Sequence, residues 1–264
     1  MLSVITLGAI VLYLAAAALL ARPLLDGHDV PRALPLVAAS LAVSGHLGEI
    51  LIAHRGALDL HLFASLSLIA AVIAALTLLV NVSRPVAGLG VITFPLAAVL
   101  LAVDVFVAPA TVPLPMDWQI KLHVSLALIS YGLLSIAALL ALLLAFQEHA
   151  LRQRRLSRFL RALPPLTLTE ALMFRLITAG FVLLSATLVT GTLFVDNLFE
   201  QHLVQKTVFS VIAWLVFGTL LMGRWHWGWR GRRAVQLTLA GMAMLVLAFF
   251  GSKFVLELIL HRSV

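Results

Sequence analysis

The stretch LHVSLALISYGLLSIAALLAL, residues 122–142, decides the fold class because it runs for 21 residues without Asp, Glu, Lys or Arg. About 20 predominantly apolar residues are enough to cross the hydrocarbon core of a bilayer as an α-helix. The rest of the chain has the same character: 62% of its residues are hydrophobic and 11% are charged, against roughly 45–50% and 25% in soluble domains. We therefore predict an all-α, polytopic membrane protein and exclude a soluble enzyme.

Apolar runs of spanning length recur along the whole chain and predict a bundle of eight transmembrane helices. They lie near residues 2–21, 34–53, 61–80, 86–107, 121–146, 174–195, 207–222 and 234–256. These spans leave about a hundred residues for loops and termini, so no large soluble domain remains. Since no repeat or linker divides the sequence, we predict one membrane domain over residues 1–264.

The distribution of basic residues predicts the orientation. With eight spans and the N-terminus outside, 13 of the 18 Lys and Arg residues fall on the cytoplasmic side when span ends are included. This asymmetry follows the positive-inside rule. It explains the net charge of +7 by topology rather than by nucleic-acid binding. No positive charge precedes the first span, so we interpret it as a retained helix and not as a signal peptide.

The longest predicted cytoplasmic loop, residues 147–173, contains the basic segment EHALRQRRLSRFLRALPP. Its leucines and Phe159 recur at roughly helical spacing among five arginines, which is typical of an amphipathic helix lying on the anionic inner leaflet. A solvated run of topology-determining charges explains the same pattern, and the two interpretations do not exclude each other.

The chain has no cysteine and nine histidines, so histidine is the side chain left for ligation of iron or copper. Six of the nine are predicted toward the outer side: His46, His54, His61, His123, His202 and His261. An isolated interfacial histidine is more often an ordinary amphipathic residue than a ligand, and that interpretation stays open for each of them.

Ionisable side chains inside predicted spans are the first functional candidates, because they are costly in lipid. His46 and Glu49 have i, i+3 spacing and so share one helix face, either as a structural pair or as part of a site. Asp104 lies near the outer end of the fourth span, and His123 opens the fifth.

The segment GRWHWGWRGRR, residues 223–233, packs three tryptophans, His226 and four arginines at the predicted cytoplasmic end of the seventh span. An aromatic belt followed by topology-determining arginines is its ordinary explanation. An axial-ligand role for His226 beside flat aromatic rings is the functional alternative. The segment SATLVTGT, residues 185–192, has the small and hydroxylated residues of helix contacts, and we assign it to packing.

The segment 122–142 also resembles a helix of the CcsA/CcmC-type cytochrome c assembly proteins, which carries an outer haem-ligating histidine before a Ser-Tyr pair. His46 and the later ALDLHLFASL resemble that family's membrane-embedded histidine and the loop into its next span. Downstream, VTGTLF, Lys206 with Trp214, GWRGRR and FFGSKFVLELILH follow the family order. The resemblance covers nearly all eight spans.

The resemblance implies a set of haem b contacts. His123 matches one outer ligand and His261 the second, while His46 and His226 match the two intramembrane ligands. Lys121, Lys206 or Lys253 would lie near the propionates. It also implies a multi-pass protein of the bacterial inner membrane whose partners are membrane lipid, haem and other cytochrome c assembly proteins.

The main departure from the family lies in the outer segment FVDNLFEQHLVQK, residues 194–206. Haem-handling members carry a tryptophan-rich WWD segment there, and this one has no tryptophan. The chain therefore resembles the YpjD-like branch that lacks this motif.

Two functions follow as hypotheses. The first is haem binding or haem handling through the outer histidines, without catalysis. The alternative is an accessory subunit or a small-solute or ion transporter that keeps the scaffold without haem chemistry, with His46, Glu49 and Asp104 forming a polar path.

Overall fold

The structure is a computed structural model that describes residues 2–25, 30–53, 61–83, 87–108, 117–153, 163–194 and 201–251. Every regular element in these ranges is helical. The helices are α1 (Leu2–Leu25), α2 (Ala33–Ala53), α3 (Leu62–Ser83), α4 (Ala87–Phe106), α5 (Trp118–Arg152), α6 (Leu166–Phe194), α7 (Gln201–Trp227) and α8 (Arg232–Val246). α8 continues into a π-helical turn, Leu247–Gly251. All eight, with α8 taken together with this turn, are long and apolar enough to cross a membrane, which confirms for the described residues the predicted all-α fold and number of spans.

The boundaries differ most around the predicted cytoplasmic loop 147–173. α5 continues to Arg152, and α6 begins at Leu166, directly after Pro164 and Pro165. Hydropathy falls where charged residues begin, but backbone hydrogen bonding carries a helix on into the interface, so the spans were predicted too short. The central part of the basic segment, residues 154–162, lies outside the described residues.

The helices group into two compact units, residues 1–115 with 150–165 and residues 116–149 with 166–264. The first holds α1–α4 and the second most of α5 with α6–α8. The prediction of a single membrane domain stays a prediction.

The first unit is built around Tyr13, whose side chain is fully buried. Its ring stacks on Phe94 of α4 at a centroid distance of 5.9 Å. The remaining core positions are mainly alanines of all four helices, and such small side chains allow helix backbones to approach closely. At one end, Arg32 donates to the backbone carbonyls of Asn81 and Val82, both at 2.8 Å. A cation there also suits the negative end of the α3 dipole.

In the second unit, α5 and α6 approach closely at Gly180. The Ser130 hydroxyl donates to the Gly180 carbonyl at 2.8 Å, and a Cβ on Gly180 would lie 2.7 Å from Cγ of Leu134. α7 packs on α6 through Trp214, whose indole N–H donates to the Ser185 hydroxyl at 2.8 Å and whose ring stacks on Phe181. These contacts hold α6 between α5 and α7, which fixes the position of the site described next.

Candidate functional site

His123 lies in the second turn of α5, at the end where α6 finishes. Its Nδ1 is 3.0 Å from the hydroxyl oxygen of Thr190 on α6. α5 begins at this end and α6 ends here, so the two helices run antiparallel. The residue is half-buried.

Gly191 allows the His123 ring to lie close to the α6 backbone. A Cβ at this position would be 3.2 Å from Cε1 of the imidazole. Beyond the ring, Trp118 and Phe194 meet with centroids 6.2 Å apart. This end of the second unit therefore presents an imidazole with an aromatic pair beside it.

Among the described residues, Nδ1 is the ring nitrogen of His123 for which a hydrogen bond is seen. Metal-bound histidines commonly donate one ring N–H to a protein acceptor and ligate through the other nitrogen. In His123, Nδ1 has a protein partner, Thr190, and Nε2 would be the ligating nitrogen. No group of three His, Asp or Glu side chains within the described ranges could hold a bare metal ion. A haem iron needs only one or two protein ligands, so His123 fits an axial haem ligand.

His46 has a different environment in the first unit. It is fully buried. Its Nδ1 lies 3.3 Å from the Tyr13 hydroxyl, and its Nε2 lies 3.0 Å from the Ser67 hydroxyl. Both nitrogens are therefore bonded to neighbouring helices. Glu49, one helical turn away, is also buried, but His46 bonds to Tyr13 and Ser67 instead.

This arrangement does not fit an axial haem ligand. Iron at either nitrogen of His46 would have to displace a hydroxyl group, and the residue is fully buried. The geometry is that of a hydrogen-bonded packing residue that joins α1, α2 and α3.

The remaining predicted site residues are dispersed. Lys121 is exposed on the first turn of α5, two residues before His123, and Lys206 is half-buried near the start of α7. Asp104 is half-buried near the end of α4 in the first unit. His261 and Lys253 lie outside the described residues.

His226 occupies the last turn of α7 and is exposed. Its ring contacts those of Trp225 and Trp227, with centroids 4.9 and 5.9 Å away. The neighbouring Arg224 bonds to Glu170 near the start of α6, whereas His123 bonds to Thr190 near its end. Twenty residues of helix correspond to about 30 Å, so His226 and His123 cannot ligate the same iron.

A charged cluster at the His226 end was not predicted from the sequence. Glu170, with its side chain 10% exposed, accepts from Arg224 at 3.3 Å and from Arg230 at 3.1 Å. The Arg224 guanidinium also lies 4.6 Å from the centroid of the Phe174 ring. The segment 223–233 is therefore not only a membrane-interface belt, because two of its arginines hold α6 to the turn between α7 and α8.

Glycines give that turn its shape. Gly228 and Gly231 have φ values of 61° and 56°, and the N–H of Gly228 bonds to the Arg224 carbonyl at 3.1 Å, a frequent way for a helix to end. A Cβ at Gly223 would overlap the Trp229 ring, so that ring packs flat against the helix. The turn carries Arg230 back to Glu170.

Comparison with known proteins confirms the family resemblance of the sequence. The family model described as cytochrome C assembly protein matches residues 30–260. Inner membrane protein YpjD of Escherichia coli (strain K12) is 45% identical over 137 residues, 52% of each chain. The cytochrome c biogenesis protein CcsA of Synechococcus sp. (strain CC9311) is 28% identical over 192 residues, 62% of each chain.

A third relative, an uncharacterized 28.8 kDa protein of Azospirillum brasilense, is 36% identical over 143 residues, 53% of each chain. The chain thus spans about half the length of the first curated relatives it matches. No solved structure matches it.

Proposed function

Because this chain belongs to the cytochrome c assembly protein family, we propose that it is an inner-membrane protein that binds haem b through His123. We assign it a binding and handling role rather than catalysis of a reaction. The relative from Escherichia coli is named an inner membrane protein, and relatives of the CcsA type are named for cytochrome c biogenesis. Both names support this cellular setting.

The single observation that carries the proposal is that the two ring nitrogens of His123 differ in their hydrogen bonding. Nδ1 is held by Thr190, and no hydrogen bond of Nε2 to a described residue is seen. His123 is also half-buried, near the start of α5. An imidazole in this state is oriented before any ligand arrives, which lowers the cost of ligation.

Other side chains at the His123 end of the second unit are suited to contact the propionates and the porphyrin ring of haem. Lys121 lies on the first turn of α5, and Lys206 is near the start of α7, so both are at the His123 end of the bundle. Ammonium groups form charge-assisted hydrogen bonds with carboxylates such as the haem propionates. Trp118 and Phe194 add apolar aromatic surface. When bound, haem supplies a redox-active iron, and these residues bind and orient it.

No second haem ligand is assigned among the described residues. His261 keeps this role as a prediction from the family resemblance. His226 is about 30 Å away along α6, and His46 has both nitrogens engaged, so neither is part of the proposed site.

The proposal is tested on protein purified in mild detergent from haem-replete cells. We expect a visible spectrum of low-spin, nitrogen-ligated haem that is lost in His123→Ala. A colourless wild-type protein that also fails to take up added hemin would overturn the proposal. That result would favour the accessory-subunit or transporter alternative, which co-purification with a stoichiometric partner would then support.

A further inference from the structure

We propose that Thr190 is a positioning residue that holds His123 in the tautomer with the proton on Nδ1, so that Nε2 carries the lone pair presented to iron. This inference rests on the proposed function for its purpose. The tautomer itself is a property of the haem-free protein, so it can be tested separately.

The Thr190 hydroxyl has a single proton to donate. Its oxygen lies 2.9 Å from the Ala186 carbonyl and 3.0 Å from the Thr187 carbonyl, both in the preceding turn of α6. We infer that the hydroxyl proton is donated to one of these two carbonyl oxygens, as is common for threonine within a helix. The lone pairs of the Thr190 oxygen are left to face His123.

The accepting Thr190 oxygen determines which ring nitrogen of His123 carries the proton. Since the Thr190 oxygen accepts, the hydrogen bond at 3.0 Å requires Nδ1 of His123 to donate. A neutral imidazole with its proton on Nδ1 has its only ring lone pair on Nε2.

α6 also holds the plane of the His123 ring. Thr190 and Gly191 are consecutive residues of α6, and the imidazole is bonded to the first while lying close over the second. Thr190 fixes the rotation of the ring through a directional hydrogen bond. Gly191 determines how closely the ring can approach the helix. Outer hydrogen-bond partners of this kind change metal affinity by about 10–100-fold when they are removed.

Three variants separate these effects. Thr190→Val keeps the side-chain shape and removes the hydroxyl, whereas Thr190→Ser keeps the hydroxyl. Thr192→Val is the matched control, because the Thr192 hydroxyl bonds to the Val189 carbonyl on the exposed side of α6 and not to His123.

The first measurement is the ¹⁵N NMR spectrum of the imidazoles in haem-free protein. The His123 signals are assigned by their loss in His123→Gln. We expect a protonated Nδ1 and an unprotonated Nε2 in the wild type, in Thr190→Ser and in Thr192→Val, and a substantial population with the proton on Nε2 in Thr190→Val. A wild type protonated at Nε2, or an unchanged tautomer in Thr190→Val, would overturn the proposal.

The second measurement is hemin titration of the same proteins. We expect Thr190→Val to bind hemin about 10–100-fold more weakly than the wild type, with Thr190→Ser and Thr192→Val near wild type. Equal affinity in Thr190→Val and wild type would contradict the positioning role. If no variant binds hemin, the proposed function fails, and the NMR result still decides whether Thr190 sets the tautomer.

Discussion

The hydroxyl of Ser67 lies 3.0 Å from Nε2 of His46 and thereby engages one of the two nitrogens through which a haem iron could bind. Tyr13 engages the other nitrogen, so an unbroken chain of three polar groups links α1, α2 and α3. All three residues are fully buried. The histidine that the family resemblance marks as an intramembrane ligand therefore has a structural role in this fold.

Removal of the Ser67 hydroxyl tests this structural role. We expect Ser67→Ala to lower the free energy of unfolding in detergent by about 1–3 kcal/mol, because a buried imidazole nitrogen loses its partner. Ser40→Ala is the control, since the Ser40 hydroxyl is exposed and bonds only within its own helix. Thermal melting followed by circular dichroism measures both. Equal melting temperatures for the two variants would argue against the His46 network.

Hemin titration of His46→Gln asks whether His46 also ligates haem. The structure predicts a less stable protein whose affinity for hemin is unchanged, since the proposed site lies at His123. The titration is made at a temperature where circular dichroism shows the variant to be folded. Loss of hemin binding by a folded His46→Gln protein would show that the Ser67 bond opens to admit iron.

A third prediction concerns the charged cluster at the opposite end of the second unit. Glu170→Gln should lower the free energy of unfolding by about 1–3 kcal/mol, because charge-assisted hydrogen bonds from two guanidinium groups are weakened. Arg230→Gln should cost less, since its side chain is 60% exposed and solvent screens the pair. Arg232→Gln, an exposed neighbour, serves as the control. If Glu170→Gln and Arg232→Gln are equally stable, the cluster does not hold α6 to the turn.

The orientation predicted from the basic residues can be tested by labelling introduced cysteines, since the wild-type chain has none to react. Asp117 and Arg232 are both exposed and lie before α5 and at the start of α8. In spheroplasts, a membrane-impermeant maleimide should label Asp117→Cys at once and Arg232→Cys only after permeabilisation. The reverse pattern would place the N-terminus inside.

Much of the fold follows from local sequence. Spans such as 122–142 are long, apolar and uncharged, so hydropathy alone predicted their number. Helix ends were predicted less well. Glu170 lowers the local hydropathy, so the sixth span was predicted to begin at Phe174 instead of Leu166, although Glu170 forms ion pairs with Arg224 and Arg230.

The environment of each histidine could not be predicted in the same way. Tyr13 and Thr190 are distant in sequence from the histidines they bond, by 33 and 67 residues. No periodicity connects them. Thr190 belongs to the segment that was assigned to packing, and only the antiparallel pairing of α5 with α6 shows that its hydroxyl also positions an imidazole.

The most direct measurement of the central claim is a hemin titration of purified wild type, His123→Ala and His226→Ala, followed by visible absorbance. We predict that wild type and His226→Ala bind hemin with the same nitrogen-ligated spectrum. We also predict that His123→Ala loses this spectrum and regains it when free imidazole is added. Identical titrations for wild type and His123→Ala would contradict the assignment of His123 as the haem ligand.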